Sequence, residues 1–152
     1  MVYSPTNVAP VEEAELFYDK LGEVIRDVPA HNFLAVLGDF NARLGPDDAL
    51  FTYHRQTNHN GKLLADILVE HDLLAANTQF KKKQGKRWTF LDRCTKAKRQ
   101  LDYILVRKKW RNNVLNAEPY HTFCTVGSDH RLVSMRVRLS LRIPKPKPKG
   151  AV

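Results

Sequence analysis

Two cysteines, Cys94 and Cys124, are all the chain has. They stand in no metal-ligand spacing, so they read as two reduced thiols of an intracellular protein rather than as a zinc site or a disulfide framework. Long hydrophobic runs are also missing. None approaches the ~20 residues of a membrane span, and residues 1–30 hold too many acids for a signal peptide, so no membrane partner is expected. There is no internal repeat. Acidic residues are scarce in the second half: residues 77–152 hold four Asp/Glu against 20 Lys/Arg, net +16, whereas residues 1–76 hold 12 against five, net −7. A half so cationic suits a polyanion, and nucleic acid is the commonest one; a solvated basic surface is the alternative. The length of 152 residues, 43% of them hydrophobic, suffices for one domain with a real core.

Residues 2–6 read as a strand end running into a loop stopped by Pro5. Pro10 opens a helical pattern in which Leu16, Phe17, Lys20, Leu21, Val24, Ile25 and Val28 share a face, and Pro29 ends it. Residues 33–37 form an apolar run with the look of a buried strand, and Gly45-Pro46-Asp47-Asp48 is a turn signal. Asn60-Gly61 precedes a second helix with Leu63, Leu64, Ile67 and Leu68 on its apolar face. Short strands are expected at 73–77, 87–91 and 101–106, and a short helix around Trp110. From Leu132 the chain alternates strictly. Val133, Met135, Val137, Leu139 and Leu141 face one way, with Ser134, Arg136, Arg138, Ser140 and Arg142 on the other. The domain is expected over 1–139. Residues 140–152, with Pro144-Lys145-Pro146-Lys147-Pro148-Lys149, form a basic extended tail or linker. Strands and helices without a strict βαβ rhythm indicate a layered α/β or α+β fold.

Polar clusters fall at strand ends: Tyr3; Asp39 with Asn41 in GDFN; Trp88-Thr89; Asp102 in LDYIL; and Ser128-Asp129-His130. Phosphodiester hydrolysis needs residues of these types. Carboxylates hold a hard divalent cation. Asp or His takes a proton from water. Asn and Tyr donate to charge building on phosphate oxygens. An Asp behind a His fixes its tautomer. Taken singly, Asp39 with Asn41 is a turn former, Asp129-His130 a turn before the last strand, Trp88 core and Tyr3 an edge aromatic. Asp102 within an apolar strand needs a partner.

Taken together, Tyr3-x-Pro5, Gly38-Asp39-Phe40-Asn41, Asn60-Gly61, Trp88-Thr89, Leu101-Asp102-Tyr103-Ile104 and Ser128-Asp129-His130 resemble the endonuclease/exonuclease/phosphatase superfamily. With Asn77-Thr78-Gln79-Phe80 ahead of Trp88, the chain is more narrowly similar to the endonuclease domain of LINE-type retrotransposons of the RTE kind. The resemblance implies an α+β fold, the C-terminal half of a four-layer α/β sandwich of the DNase I-like kind. It implies Mg²⁺- or Mn²⁺-dependent cleavage of DNA. Asp39 would bind or activate the attacking water and Asn41 hold the phosphate. Tyr3 would contact the phosphate or the leaving group. Asp102 would orient His130, which stabilises the transition state or acts as base. Asp129, with Asp39, would hold metal. Arg43, Asn60, Trp88 and the basic loop with Lys81, Lys82, Lys83, Lys86 and Arg87 would contact DNA.

One departure stands against full activity. The family's first half supplies an Asn and a Glu to the principal metal, and the matching segment here begins at Val2. The expectation is therefore weak metal binding, weak or absent nuclease activity alone, and completion of the sandwich by dimerisation or element swapping, since half a sandwich leaves apolar sheet exposed. The competing expectation is a non-catalytic nucleic-acid-binding or dimerisation module. A DNA enzyme belongs in the nucleus, although no clean targeting signal says so.

Overall fold

Pro10 fixes the backbone that leads into helix α1, Val11–Asp27. Glu12 and Glu13 lie in its first turn and Arg26 in its last, matching the helix dipole. The computed structural model describes residues 1–120, 127–140, 142–147 and 150. Cys124, Leu141, Pro148 and Lys149, named above, lie outside them. The face that α1 buries differs from the expected one. Ala14, Tyr18, Leu21, Gly22 and Ile25 point inward, while Leu16 and Val24 are 71% and 55% exposed. Tyr18 turns the helix this way: its ring is buried and its hydroxyl donates to Phe40 O at 2.7 Å.

Helix α2, His59–Glu70, is capped by Asn58, whose Oδ1 accepts from Gly61 N at 2.8 Å. Asn60-Gly61 therefore sits inside the first turn rather than before the helix. Leu64, Ile67 and Leu68 are buried against α1 and the sheet, as their spacing predicts, with Leu63 partly buried.

The main sheet has the order β1 (Val2–Tyr3), β2 (Ala35–Asp39), β6 (Asp102–Arg107), β3 (Leu73–Ala75). β1 runs parallel to β2, and the other neighbours are antiparallel. Two hairpins complete the strands, β4 (Phe90–Leu91) with β5 (Lys98–Arg99) and β7 (Val114–Pro119) with β8 (Val133–Val137). The expected helix near Trp110 is a 3₁₀ stretch, Lys108–Asn113. β8 keeps the alternation of Val133, Met135 and Val137 but ends at Val137, and Leu139 is exposed.

Alternate residues divide the core between the two faces of the sheet. Leu73, Ala75, Tyr103 and Leu105 pack under the helices with Phe40, Ala42 and Leu44. Leu74, Ile104 and Val106 pack on the other face under the β7–β8 ribbon, with Val114, Ala117 and, partly buried, Val133 and Met135. β2 is shifted from the expected 33–37 and runs on through Gly38-Asp39. The ribbon does not cover the Asp39 end of that face. A cavity of about 530 Å³ opens there between Tyr3, Leu37, Ile104, Leu132 and the acids of β2 and β6, with Leu37 42% exposed.

Candidate active site

Gly38 places the first wall of the site. A Cβ on Gly38 would lie 1.9 Å from Val2 O, so only glycine lets β1 lie against β2. That register sets Tyr3 opposite Asp39. The backbone pairing continues past the strands: Ser4 N donates to Asp39 O and Phe40 N to Leu101 O, both at 2.9 Å. On the other side β2 sets Asp39 opposite Asp102.

Asn41 forms a turn and also lines the cleft beside Asp39. It has φ +44, a conformation that asparagine tolerates. Its backbone N–H donates to Asp39 Oδ1 at 2.9 Å and its side-chain amide to Ser4 O at 2.8 Å. The turn thereby fixes both side chains at the mouth of a cleft.

Thr89 and Phe90 position the histidine. The buried Thr89 hydroxyl accepts from Leu101 N at 2.9 Å and Asp102 N at 3.2 Å, while Thr89 O accepts from Arg131 N. Phe90 bridges to His130 as an antiparallel pair, and Leu91 N donates to Asp129 O. This lays residues 129–131 beside β4 and turns His130 toward β6. Its Nδ1 meets Asp102 Oδ2 at 2.9 Å, its Nε2 lies 3.7 Å from Asp39 Oδ2, and its ring stands 5.0 Å from that of Phe90.

The electrostatics follow from this packing. The hydrogen bond to Asp102 is the main cause holding His130 above the ordinary imidazole range; burial opposes it, and the charges of Asp102, Asp39 and Asp129 add to it. Asp39 is also pushed up, first by burial, with Asp102 adding; its bond from Asn41 and the nearby His130 pull it back. Asp39, Asp102 and His130 offer three donor atoms within 4.8 Å of one another. The set fits a divalent cation. Asp39 Oδ2 has no hydrogen-bond partner among the described residues, and a desolvated carboxylate gains from a counter-charge. The fit is loose, because Asp102 and His130 are engaged with each other.

The structure brings Tyr3, Asp39, Asn41, Arg43, Asp102 and His130 to one place, where they line two adjoining cavities. Other expected residues lie elsewhere. Asp129 points outward into an ion pair with Arg93 at the tip of the β4–β5 hairpin, and it is outside the three-donor group. Asn60 is 1% exposed and its amide donates to Pro5 O at 3.0 Å, so its part is to hold the loop after β1 rather than to touch DNA. Trp88 is 7% exposed and lies between Arg131, whose Cζ is 3.2 Å from the ring centroid, and the Lys98 ammonium at 5.2 Å; it is not a free stacking surface. Arg87 braces its own loop through Lys82 O, Thr52 O and Gln84 Oε1. Lys82 pairs with Glu118 at 3.3 Å, while Lys81, Lys83 and Lys86 make no ion pair among the described residues.

Sequence reasoning missed the supports. Tyr103 Oη reaches Ala42 O at 3.0 Å and Gln100 O at 3.1 Å, so with Tyr18 it clamps the 40–42 turn from below. Asn77 donates to Asp102 O and accepts from Ile104 N. Arg99 lines the cleft beside Arg43 and had no motif to mark it.

No family model matches the chain. It is 30% identical over 146 residues to craniofacial development protein 2 of Tragulus javanicus, covering 93% of this chain and 25% of that protein. The chain thus spans about a quarter of the length of the curated relatives it matches. Among solved structures, a 3′-5′ exonuclease of Neisseria meningitidis aligns with TM-score 0.70 at 20% identity, over 91% of this chain and 60% of that one. The endonuclease domain of TRAS1, a telomere-specific non-LTR retrotransposon, aligns with TM-score 0.65 at 15% identity, over 91% and 57%. In fold the chain is similar to these nuclease structures, an α+β arrangement of the DNase I-like kind that matches a little over half of each of them.

Proposed function

We propose that this chain carries the catalytic side of a retrotransposon-derived, metal-dependent DNA endonuclease, weakly active or inactive by itself. The observation that supports it is the meeting of Asp39, Asn41, Asp102 and His130, drawn from three distant segments, at one cleft with Tyr3 and Arg43 on its rim. A neighbour of the same fold is described as bound to a product DNA hairpin, which agrees with DNA as the substrate class.

In this reading water attacks phosphorus, the P–O3′ bond breaks, and the 3′ oxygen leaves with a proton. Asp39 Oδ2 takes the proton of the attacking water. His130, whose imidazolium form the bond to Asp102 favours, donates through Nε2 to a non-bridging oxygen. At 3.7 Å, Asp39 and His130 are too close to hold a phosphoryl group in line between them, so both serve the attacking side. The leaving oxygen falls to another group, and Tyr3, exposed across β1 from Asp39, is the residue in reach. The Asn41 amide, one N–H of which is engaged with Ser4, offers its other to the phosphate. Mg²⁺ or Mn²⁺, held loosely by the donor group of Asp39, Asp102 and His130, would neutralise phosphate charge; Asp129, expected as a metal ligand, is paired with Arg93 and lies outside that group, which makes the binding weak.

The uncovered sheet face beside Tyr3, Leu37 and Leu132 supports self-association as a homodimer, and a monomer by light scattering at high concentration would count against that part. Action on DNA would agree with a nuclear location. Among the described residues no helix is long and apolar enough to cross a membrane. The test is nicking of supercoiled plasmid with Mg²⁺, beside an Asp39→Ala/His130→Ala double variant. Nicking lost in the variant supports the enzyme. Salt-dependent DNA binding without nicking, surviving chelation, favours the non-catalytic binding module instead.

A further inference from the structure

Two guanidinium groups stand together on the rim of the cleft, and neither has a carboxylate within ion-pair distance among the described residues. Arg43 and Arg99 line the same cavity of about 400 Å³ as Asp39, Asn41 and His130. They feel each other's charge: Arg43 is held below the usual guanidinium range first by burial and then by Arg99. Both also help to push the half-buried His54 down to about 4, after burial as the main cause. His54 is therefore neutral, and its Nε2 accepts from Gln100 N at 2.9 Å instead of adding a third cation. The acid nearest in effect to Arg99 is Asp92, whose Oδ1 is engaged in the hairpin turn with Cys94 N and Thr95 N. Arg43 Nε is buried and has no hydrogen-bond partner among the described residues. Two like charges at close range without a counter-charge are unfavourable unless an anion joins them.

The fold holds both in position. Asn58 Oδ1 accepts from Arg43 N at 2.9 Å, and Asn58 N donates back to Arg43 O. A Cβ on Gly61 would lie 2.0 Å from Arg43 O, so glycine at the start of α2 lets the two backbones touch. Arg99 lies across the β4–β5 hairpin from Phe90, with its Cζ 5.9 Å from that ring, and Phe90 in turn packs on His130. The catalytic histidine, the aromatic ring and the second arginine thus form a continuous wall.

We infer that Arg43 and Arg99 form a second phosphate subsite, which grips the backbone phosphate next to the one at Asp39, Asn41 and His130. The subsite makes the substrate a polynucleotide and not a mononucleotide or a sugar phosphate. It deepens the nuclease reading above and rests on it for the position of the first phosphate. Neither arginine side chain has an ion pair to lose, so glutamine should leave the fold intact.

The experiment is fluorescence anisotropy of a labelled duplex with the 152-residue chain in EDTA, from 50 to 200 mM salt, for wild type, R43Q, R99Q, R43Q/R99Q and K20Q. Circular dichroism melts confirm folding. The slope of log affinity against log salt should fall in magnitude by about one unit per arginine and about two for the pair, and stay unchanged for K20Q, which removes one charge from the exposed Lys20–Glu23 pair on α1. A neutral methylphosphonate beside the cleaved position should weaken wild type and leave the double variant unaffected. An unchanged slope in R43Q/R99Q overturns the subsite while sparing the nuclease reading. Loss of slope without plasmid nicking supports the subsite and favours the non-catalytic binding module over a chain that cleaves by itself. No DNA binding by wild type overturns both.

Discussion

Replacing Tyr18 by phenylalanine removes one oxygen from the core and asks whether the site turn is held from the helix. The hydroxyl donates to Phe40 O at 2.7 Å, and Phe40 is wholly buried. Without it the carbonyl has no water to turn to. Leaving a buried acceptor unmet costs about 1–3 kcal/mol, and the volume change adds little. In a domain of this size that lowers Tm by about 2–12 °C, since each kcal/mol is worth about 2–4 °C. Urea unfolding at 25 °C reads the loss directly, with the denaturant slope unchanged. Tyr103→Phe removes the second clamp, at Ala42 and Gln100. Both clamps hold the same turn, so the double variant should depart from additivity by at least about 0.5 kcal/mol. Burial drives both hydroxyl pKa values above the ordinary phenol range, so the clamps stay protonated and the losses should not vary between pH 6 and 9. A loss below about 0.5 kcal/mol for Tyr18→Phe would refute the clamp.

Three further outcomes are expected. Gly38→Ala should push β1 off β2, costing about 1–3 kcal/mol and separating Tyr3 from Asp39, seen as lost β1 amide protection in hydrogen exchange. Asp102→Asn should return His130 toward its ordinary range, so its titration by NMR moves to lower pH, and any nicking should fall about 10²–10⁴-fold. Asp39→Asn should raise Tm at pH 7–8, because burial penalises the charged carboxylate there. The gain should vanish as pH falls below the carboxylate range, where wild-type Asp39 is neutral as well; an equal gain at pH 3 would refute it.

The chain's order of motifs was enough to name residues that gather at the cleft, because Gly38-Asp39-Phe40-Asn41, Leu101-Asp102-Tyr103 and Ser128-Asp129-His130 are local patterns. Period-2 alternation in β8 and the apolar face of α2 were legible for the same reason: they depend on neighbours in sequence. The face of α1 was not, because Leu16 fits the apolar pattern along the chain and only the Phe40 carbonyl, distant in sequence, gives the Tyr18 hydroxyl a buried partner. The burial of Asn60 and Trp88, where DNA contacts were expected, was not legible either, since packing against Pro5 and between Arg131 and Lys98 is set by distant segments. The outward turn of Asp129 toward Arg93 depends on where a hairpin tip ends. By itself, then, the sequence determined the residue chemistry and the local periodicities. Only the tertiary structure decided which carboxylate faces His130, which arginines share the cleft, and which polar groups are used up inside. Those outcomes depend on strand register and on desolvation, and both are properties of segments meeting in space.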